Sequence, residues 1–250
     1  MTKKERVKQF GLVGKNIDYS FSRTYFRDKF ERENKVGYRY ANFDLQSIEN
    51  IREVFNSGAT PSGLNVTIPY KKTVIPYLDQ LTEEAKTIQA VNTIVIEASG
   101  KTIGHNTDHV GFQKVLLERI EKKPKQALIL GTGGASGAVH YVLDQIQCSF
   151  QFVSRTPQKG QLAYADLTKE LFETIDLIVN TTPLGTFPNV EEAPPIPYEY
   201  LDSRHFLFDL IYNPEETKFL KEGRSRGAQT CNGYQMLVYQ AEKSWELWNQ

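Results

Sequence analysis

Little in this chain invites a metal site or a disulfide framework. Its two cysteines, Cys148 and Cys231, lie far apart and have no neighbouring Cys/His set. Neither a bridged scaffold nor a zinc spacing can be drawn from them, so they read as free thiols in a reducing compartment and no metal is expected. Long apolar runs are missing too: no stretch approaches the ~18 residues of a membrane-spanning helix. The charged start, MTKKER (1–6), leads into a short apolar piece rather than a signal segment. The expected location is the cytoplasm, with no membrane partner. Charge of one sign is not in excess, since 30 basic and 30 acidic residues cancel to a net charge of +0. That removes the global electrostatic case for nucleic acid as a partner. The histidines His105, His109, His140 and His205 have no Ser, Cys or Asp at a triad spacing, so nucleophilic hydrolysis has no support. Internal repeats and low-complexity segments are absent as well.

What is present fits 250 residues in two modest domains. The stretch ALILGTGGASGA (127–138) organises the reading. Four apolar residues make a short buried strand, a glycine cluster follows, and Ala138, Val139, Val142, Leu143 and Ile146 then recur at helical spacing. Strand, glycine turn and helix in that order are the context of a dinucleotide site. There glycines let the backbone approach a pyrophosphate, and the helix N-terminus offers free N–H groups. Gly131, Gly133 and Gly134, with Ala135 opening the helix, are the candidates, although the spacing is not the usual G-x-G-x-x-G. The plain alternative is a tight strand-to-helix turn.

The rest of the chain alternates strands and helices. Strands are expected at 10–14, 36–43 and 64–66, with a helix carrying Tyr25, Phe26 and Phe30 behind an N-cap at Ser22. A helix pattern covers 45–55, turn residues fill 58–63, and Pro69 suits a helix first turn before an apolar helical run over 74–81. A hairpin is expected over 93–103 and a helix over 110–120. Further strands are expected at 149–153, 176–179 and 205–210, a proline-rich loop at 186–197, a short helix at 215–221 and a long amphipathic helix over 233–248. The pattern reads as α/β with parallel sheets. The first domain is expected over 1–107, completed by the C-terminal helix at about 234–250, and the second over 108–233.

Four motifs carry candidate chemistry. In NVTIPYKK (65–72) a lysine, Lys71, sits just beyond a strand end, where a pKa lowered by burial or charge makes it an acid/base; a solvated lysine on a capped helix is the alternative. Asn92 in AVNT precedes a strand, where a turn role is equally natural. Asp108 in GHNTD opens a helix, either as a cap or as a carboxylate partner for Lys71. VSRT (153–156) falls where dehydrogenases using the non-phosphorylated dinucleotide place an acid. Here Ser154, Arg155 and Thr156 stand there, with Lys159 close behind. The arginine's fork suits a 2′-phosphate and points to NADP, a surface arginine in a turn being the alternative.

Taken in order, these motifs resemble the shikimate dehydrogenase family nearly end to end. The similarity runs through GLVG (11–14) with Ser20 and Ser22, NVTIPYK (65–71), VNT (91–93), NTDHVG (106–111), GTGGASG (131–137), DLIVNTTPLG (176–185), DLIYNP (209–214) and GYQMLVYQ (233–240). The resemblance implies reversible reduction of 3-dehydroshikimate to shikimate with NADPH. It also implies an N-terminal α/β substrate domain and a shortened C-terminal Rossmann-type dinucleotide-binding domain, with the C-terminal helix packing back on the first domain. By position, Ser20 and Ser22 would hold the substrate carboxylate. Thr67, Asn92, Asp108 and Gln240 would bind ring hydroxyls, and Lys71 with Asp108 would be the catalytic pair. Tyr212 and Gly233 would line the junction with the nicotinamide. The partners implied are small molecules only, in a monomer or homodimer. A quinate/shikimate enzyme using NAD is the nearby alternative, opposed by Arg155. A non-catalytic dinucleotide-binding relative is the other, opposed by the presence of Lys71 and Asp108.

The chain departs from the family pattern in three places. KNIDYS (15–20) replaces the common Asn-Pro-x-x-His-Ser and Arg23 stands where proline is common; Ser154 replaces an asparagine. Only about 20 residues separate Arg155 from Asp176, against the ~30 of a full βαβ unit. A helix after Arg155 is therefore expected to be missing, with a short strand over 162–165 following almost directly. The expected cost is an open adenine pocket and weaker cofactor affinity.

Overall fold

A computed structural model describes residues 7–18, 20–56 and 60–250. The expectations for 1–6, for Tyr19 and for part of the turn at 58–63 lie outside the described residues. The chain divides into two compact units, one of residues 1–107 with 241–250 and one of residues 108–240.

The first unit contains β1 (Lys8–Gly14), α1 (Phe21–Arg32), β2 (Tyr38–Asp44), α2 (Ile51–Phe55), β3 (Gly63–Val66), β4 (Gln80–Leu81), α3 (Glu83–Ile88), β5 (Thr93–Ile96) and β6 (Thr102–His105). They form one sheet in the order β2-β1-β3-β5-β6-β4. It is mixed, because β5 runs antiparallel to both β3 and β6, where the alternating pattern suggested a parallel sheet. Local chemistry explains the other departures from expectation. The cap of α1 is Ser20, whose side chain accepts from the Ser22 amide, so Ser22 lies inside the helix. The helix expected from residue 45 starts late because the Leu45 amide donates to Gly14 O at the end of β1. A 3-10 turn at Ile48–Asn50 precedes a short α2. After Pro69 the chain makes turns rather than an α-helix: Pro76 lies at the start of a 3-10 turn, Ile75–Tyr77, and Gln80 and Leu81 pair with β6 instead.

An aromatic cluster anchors this unit. Phe10 of β1 stacks on Trp248 at 5.0 Å, and Phe26, Phe30 and Trp245 complete it. Each buried ring is worth roughly 1.5–3 kcal/mol. The Trp248 indole nitrogen also donates to Ile94 O at 3.0 Å, which ties the end of the chain to β5.

The second unit contains α4 (Asp108–Arg119), β7 (Gln126–Leu130), α5 (Gly134–Gln145), β8 (Ser149–Ser154), β9 (Leu162–Ala163), α6 (Lys169–Phe172), β10 (Leu177–Asn180), β11 (Phe206–Asp209), α7 (Lys218–Ser225) and β12 (Gln229–Cys231). The last helix, α8 (Tyr234–Trp248), starts in this unit and ends in the first. The sheet order is β12-β11-β10-β7-β8-β9, with every pairing parallel. Counted from β7 this is the 3-2-1-4-5-6 order of dinucleotide folds, with its switch point between β7 and β10. The central strands β7, β10 and β11 are buried on both faces and read as near-continuous apolar runs. The connection after β8 is short as expected: β9 pairs directly with Val153 and Ser154, and no helix intervenes. Helix α7 starts at Lys218 rather than near 215 because Thr217 supplies its cap, accepting from the Leu220 amide.

Candidate functional site

In the first unit the singled-out residues gather at strand ends. Segment 65–71 is held on both sides. The Thr67 amide donates to Val13 O at 2.9 Å, the Val66 amide donates to Asn92 O at 2.8 Å, and the Val91 amide donates to Lys71 O at 2.7 Å. Lys71, Thr67 and Asn92 are thereby brought together by main-chain bonds alone. Lys71 is half-buried. The turn that carries Ser20 abuts the same segment, since the Ser20 amide donates to Ile17 O and the Lys15 amide to Ile68 O.

Behind these residues lies a buried polar cluster that the motifs did not single out. The Tyr40 hydroxyl donates to Asn65 Oδ1 at 2.8 Å, and Asn65 Nδ2 donates to Ser244 Oγ at 2.9 Å. Burial pushes the Tyr40 phenol far above its ordinary range, with the Ser22 side chain beside it partly offsetting the shift. Thr93 and Thr107 join the cluster. A serine one turn after Gln240 on the last helix was the one available sequence signal.

In the second unit Gly131 directly follows β7 with φ +101, a conformation that favours glycine, and its amide donates to Val153 O. A Cβ there would press on Thr182 Cγ2 at 2.9 Å, so the loop ends of β7 and β10 meet at the switch point. Gly133 differs: a Cβ on it would meet nothing within 4 Å. Packing therefore does not require that glycine, and the open space beside it leaves the backbone accessible to a ligand. Gly133 caps α5 without a side-chain bond, so the helix N–H groups of Gly134 and Ala135 are available for an anion. At the end of β8 the Thr156 amide donates to Ser154 Oγ, while Arg155, Thr156 and Lys159 are exposed. No carboxylate occupies the end of that strand. These residues fit a phosphorylated dinucleotide.

A second buried cluster holds the neighbouring loops. Asp209, at the end of β11, accepts from Asn180 Nδ2 at 3.0 Å, from the Ile211 amide at 3.0 Å and from Thr217 Oγ1 at 2.5 Å. Asn180 Oδ1 in turn accepts from the Thr182 amide and hydroxyl. Burial pushes the Asp209 carboxyl up to about 7, against the pull of its three donors. Tyr212 follows three residues later. Gly233 lies against the same loop: its amide donates to Ile211 O, and a Cβ on it would overlap the Leu210 carbonyl. On the helices, Asp108 opens α4 and is buried, and one turn on Gly111 packs tightly against Met236 and Gln240 of α8. Asp108 and Gln240 therefore sit on adjoining turns of two packed helices. Among the described residues no group of three or more His, Cys, Asp or Glu could hold a metal.

Residues 12–94 match the model of the shikimate dehydrogenase substrate binding domain. A shikimate dehydrogenase (NADP(+)) of Methanococcus aeolicus is 37% identical over 260 residues, covering 97% of this chain and 92% of that protein. A crystal structure of a shikimate dehydrogenase in complex with NADP+ aligns with a TM-score of 0.85 at 34% identity, covering 99% of this chain and 91% of that one. A quinate dehydrogenase from Corynebacterium glutamicum in complex with NAD aligns with a TM-score of 0.84 at 26% identity, covering 96% and 93%.

Proposed function

The chain belongs to the shikimate dehydrogenase family, and from that premise we propose that it catalyses the reversible reduction of 3-dehydroshikimate to shikimate with NADPH. The observation that carries the reading is the main-chain clamp on Lys71, which holds its backbone beside Val91, next to Asn92, on the segment that also carries Thr67, in the unit matched by the substrate-binding domain. The first unit is the substrate domain in this reading and the second the NADP-binding domain.

Ser20 and Ser22 hold the substrate carboxylate. Thr67, Asn92 and Gln240 bind ring hydroxyls, and so does Asp108 beside its role with Lys71. Lys71 is the acid/base: it gives a proton to the carbonyl oxygen during reduction and takes it back from the hydroxyl in the reverse direction. Asp108 stabilises its charged form. NADPH supplies the hydride. Gly131, Gly133, Gly134 and Ala135 approach its pyrophosphate. Ser154, Arg155, Thr156 and Lys159 read the 2′-phosphate, with Arg155 as the bidentate fork. Tyr212 and Gly233 hold the geometry at the junction, where alignment of donor and acceptor supplies much of the rate. The quinate-type alternative using NAD finds no carboxylate at the end of β8 for a ribose hydroxyl. A cytoplasmic monomer or homodimer belongs to the same proposal; Cys148 and Cys231 are free thiols, and among the described residues no helix is long and apolar enough to cross a membrane.

The test is a spectrophotometric assay with shikimate and NADP or NAD, on the wild type and on Lys71→Ala. The wild type is expected to reduce NADP in preference to NAD, and Lys71→Ala to lose about 10²–10⁴ in kcat. A wild type that reduces neither cofactor sinks the enzyme reading, and full rate in Lys71→Ala sinks the role given to Lys71.

A further inference from the structure

The polar cluster of the first unit is costly to bury and is joined through a hub of two bonded hydroxyls, those of Ser244 and Thr93, the second of which also meets Asn65 Nδ2, Asn92 Oδ1 and Thr107 Oγ1. Ser244, on the last helix, is 0 % exposed, as is Thr93. An unbonded hydroxyl in such a place is strongly unfavourable, whereas an alanine would pack without penalty. Ser244 Oγ instead lies 2.9 Å from Asn65 Nδ2, 2.7 Å from Thr93 Oγ1 and 3.2 Å from Thr107 Oγ1. Two arms leave this hub. Along one, Asn92 Nδ2 donates to Thr107 Oγ1 at 2.9 Å, and the Thr107 amide donates to Asn92 Oδ1 at 2.6 Å. That pair fixes which way the Asn92 carboxamide faces. Its oxygen accepts from the Thr107 amide and its nitrogen donates to the Thr107 hydroxyl, so the carboxamide is held in one orientation. Along the other arm, Asn65 Oδ1 accepts from the Tyr40 hydroxyl, which lies beside the Ser22 side chain. The arms therefore end on two residues that hold different parts of the substrate.

We propose that Ser244 is a positioning residue that sets the orientation of Asn92 and Ser22 at once, so that the last helix of the chain tunes substrate recognition from behind the strand ends. This rests on the substrate reading of Ser22 and Asn92 given above. Fully bonded buried networks specify one arrangement of their members, which an apolar core of equal volume does not. The cluster contains no group that changes charge near neutral pH, so its effect belongs to geometry.

The experiment measures steady-state kinetics and melting of Ser244→Ala, Tyr40→Phe and the double variant. For each single variant KM for shikimate is expected to rise about tenfold while KM for NADP stays within about twofold. The double variant is expected to fall short of the product of the two effects, because both act through Asn65. A lowered melting temperature with KM for shikimate unchanged overturns the proposal, as does an equal rise in both KM values. If Ser244→Ala does not fold, Tyr40→Phe alone decides, since it removes one oxygen and leaves the ring. A wild type without turnover removes the substrate reading and this inference together. Turnover with unchanged KM values in the variants removes the inference alone.

Discussion

Behind the strand ends of the mixed sheet lies a cluster of hydroxyls and carboxamides; behind those of the parallel sheet lies a carboxylate. Tyr40, Asn65, Thr93, Thr107 and Ser244 hold their loops with neutral groups. Asn180, Thr217 and the Ile211 amide hold theirs around Asp209. Both devices satisfy buried polar atoms, and both tie segments distant in sequence. They differ in what perturbs them. A neutral network fails only when a partner is removed. A buried carboxylate also responds to protons, since taking its charge out of water raises its pKa. The substrate side of the molecule is thereby expected to keep its geometry across pH, while the dinucleotide side is not.

The harshest ways to break this comparison attack each unit at its least tolerant atom. On the substrate side that is Lys71, whose replacement by alanine is expected to lower kcat by about 10²–10⁴ without changing the melting temperature. A comparable loss of stability in that variant, read by calorimetry, removes the distinction between chemistry and scaffold there. On the dinucleotide side it is Gly233. A methyl group at this position overlaps the Leu210 main-chain carbonyl, which cannot move without dragging β11 with it. Gly233→Ala is expected to cost at least about 3 kcal/mol in chemical unfolding. An undiminished midpoint excludes the tight contact.

Arg155→Ala sharpens the contrast at lower cost. Its guanidinium is exposed and its structural duties are few, so folding is expected to be untouched. Loss of a charged, bidentate phosphate contact is expected to raise KM for NADP about 10- to 100-fold, with NAD kinetics and KM for shikimate unchanged. Equal losses with both cofactors remove the 2′-phosphate role.

Much of this architecture was legible in the sequence because its signals are local. The run ALIL before GTGG, the hairpin around Ser99–Gly100 and the missing helix between Arg155 and the short strand at Leu162 each follow from residues adjacent in the chain, and the structure has all three. The errors share the opposite cause. The helical pattern over 45–55 was shortened by a bond from Leu45 to Gly14, and Gln80 and Leu81 became a strand because β6 offered an edge. Short elements that depend on a partner, such as β12 and α6, carry too few residues for a period to register. For the candidate site the motifs marked residues at the ends of strands. The groups that hold those ends, Ser244 and Asp209 among them, were not singled out as site residues, because their partners lie 179 positions away for Ser244 and Asn65 and 29 for Asp209 and Asn180.

The smallest expected effect is also the most direct test of the contrast, and it lies in a pH slope. The Asp209 carboxyl is raised from 3.8 to about 7 by burial. The folded state therefore binds more protons than the unfolded chain between those values, and stability falls as pH rises through that window. The contribution is fully present below about pH 4 and lost above about pH 7, each unit of separation being worth about 1.4 kcal/mol. Asp209→Asn cannot titrate. Its amide is also a poorer match for three donors, so it is expected to lie below the wild type at pH 4. The gap between the two is expected to narrow steadily from pH 4 to 7 and then stay constant. Ser244→Ala, measured alongside, is expected to lie below the wild type by the same amount at every pH, because nothing in its network titrates there. Melting temperatures at half-unit intervals of pH separate the two patterns. A constant gap for Asp209→Asn means that its three donors outweigh burial and keep the carboxyl ionised throughout, and a sloping gap for Ser244→Ala means that a charged group reaches the neutral cluster after all.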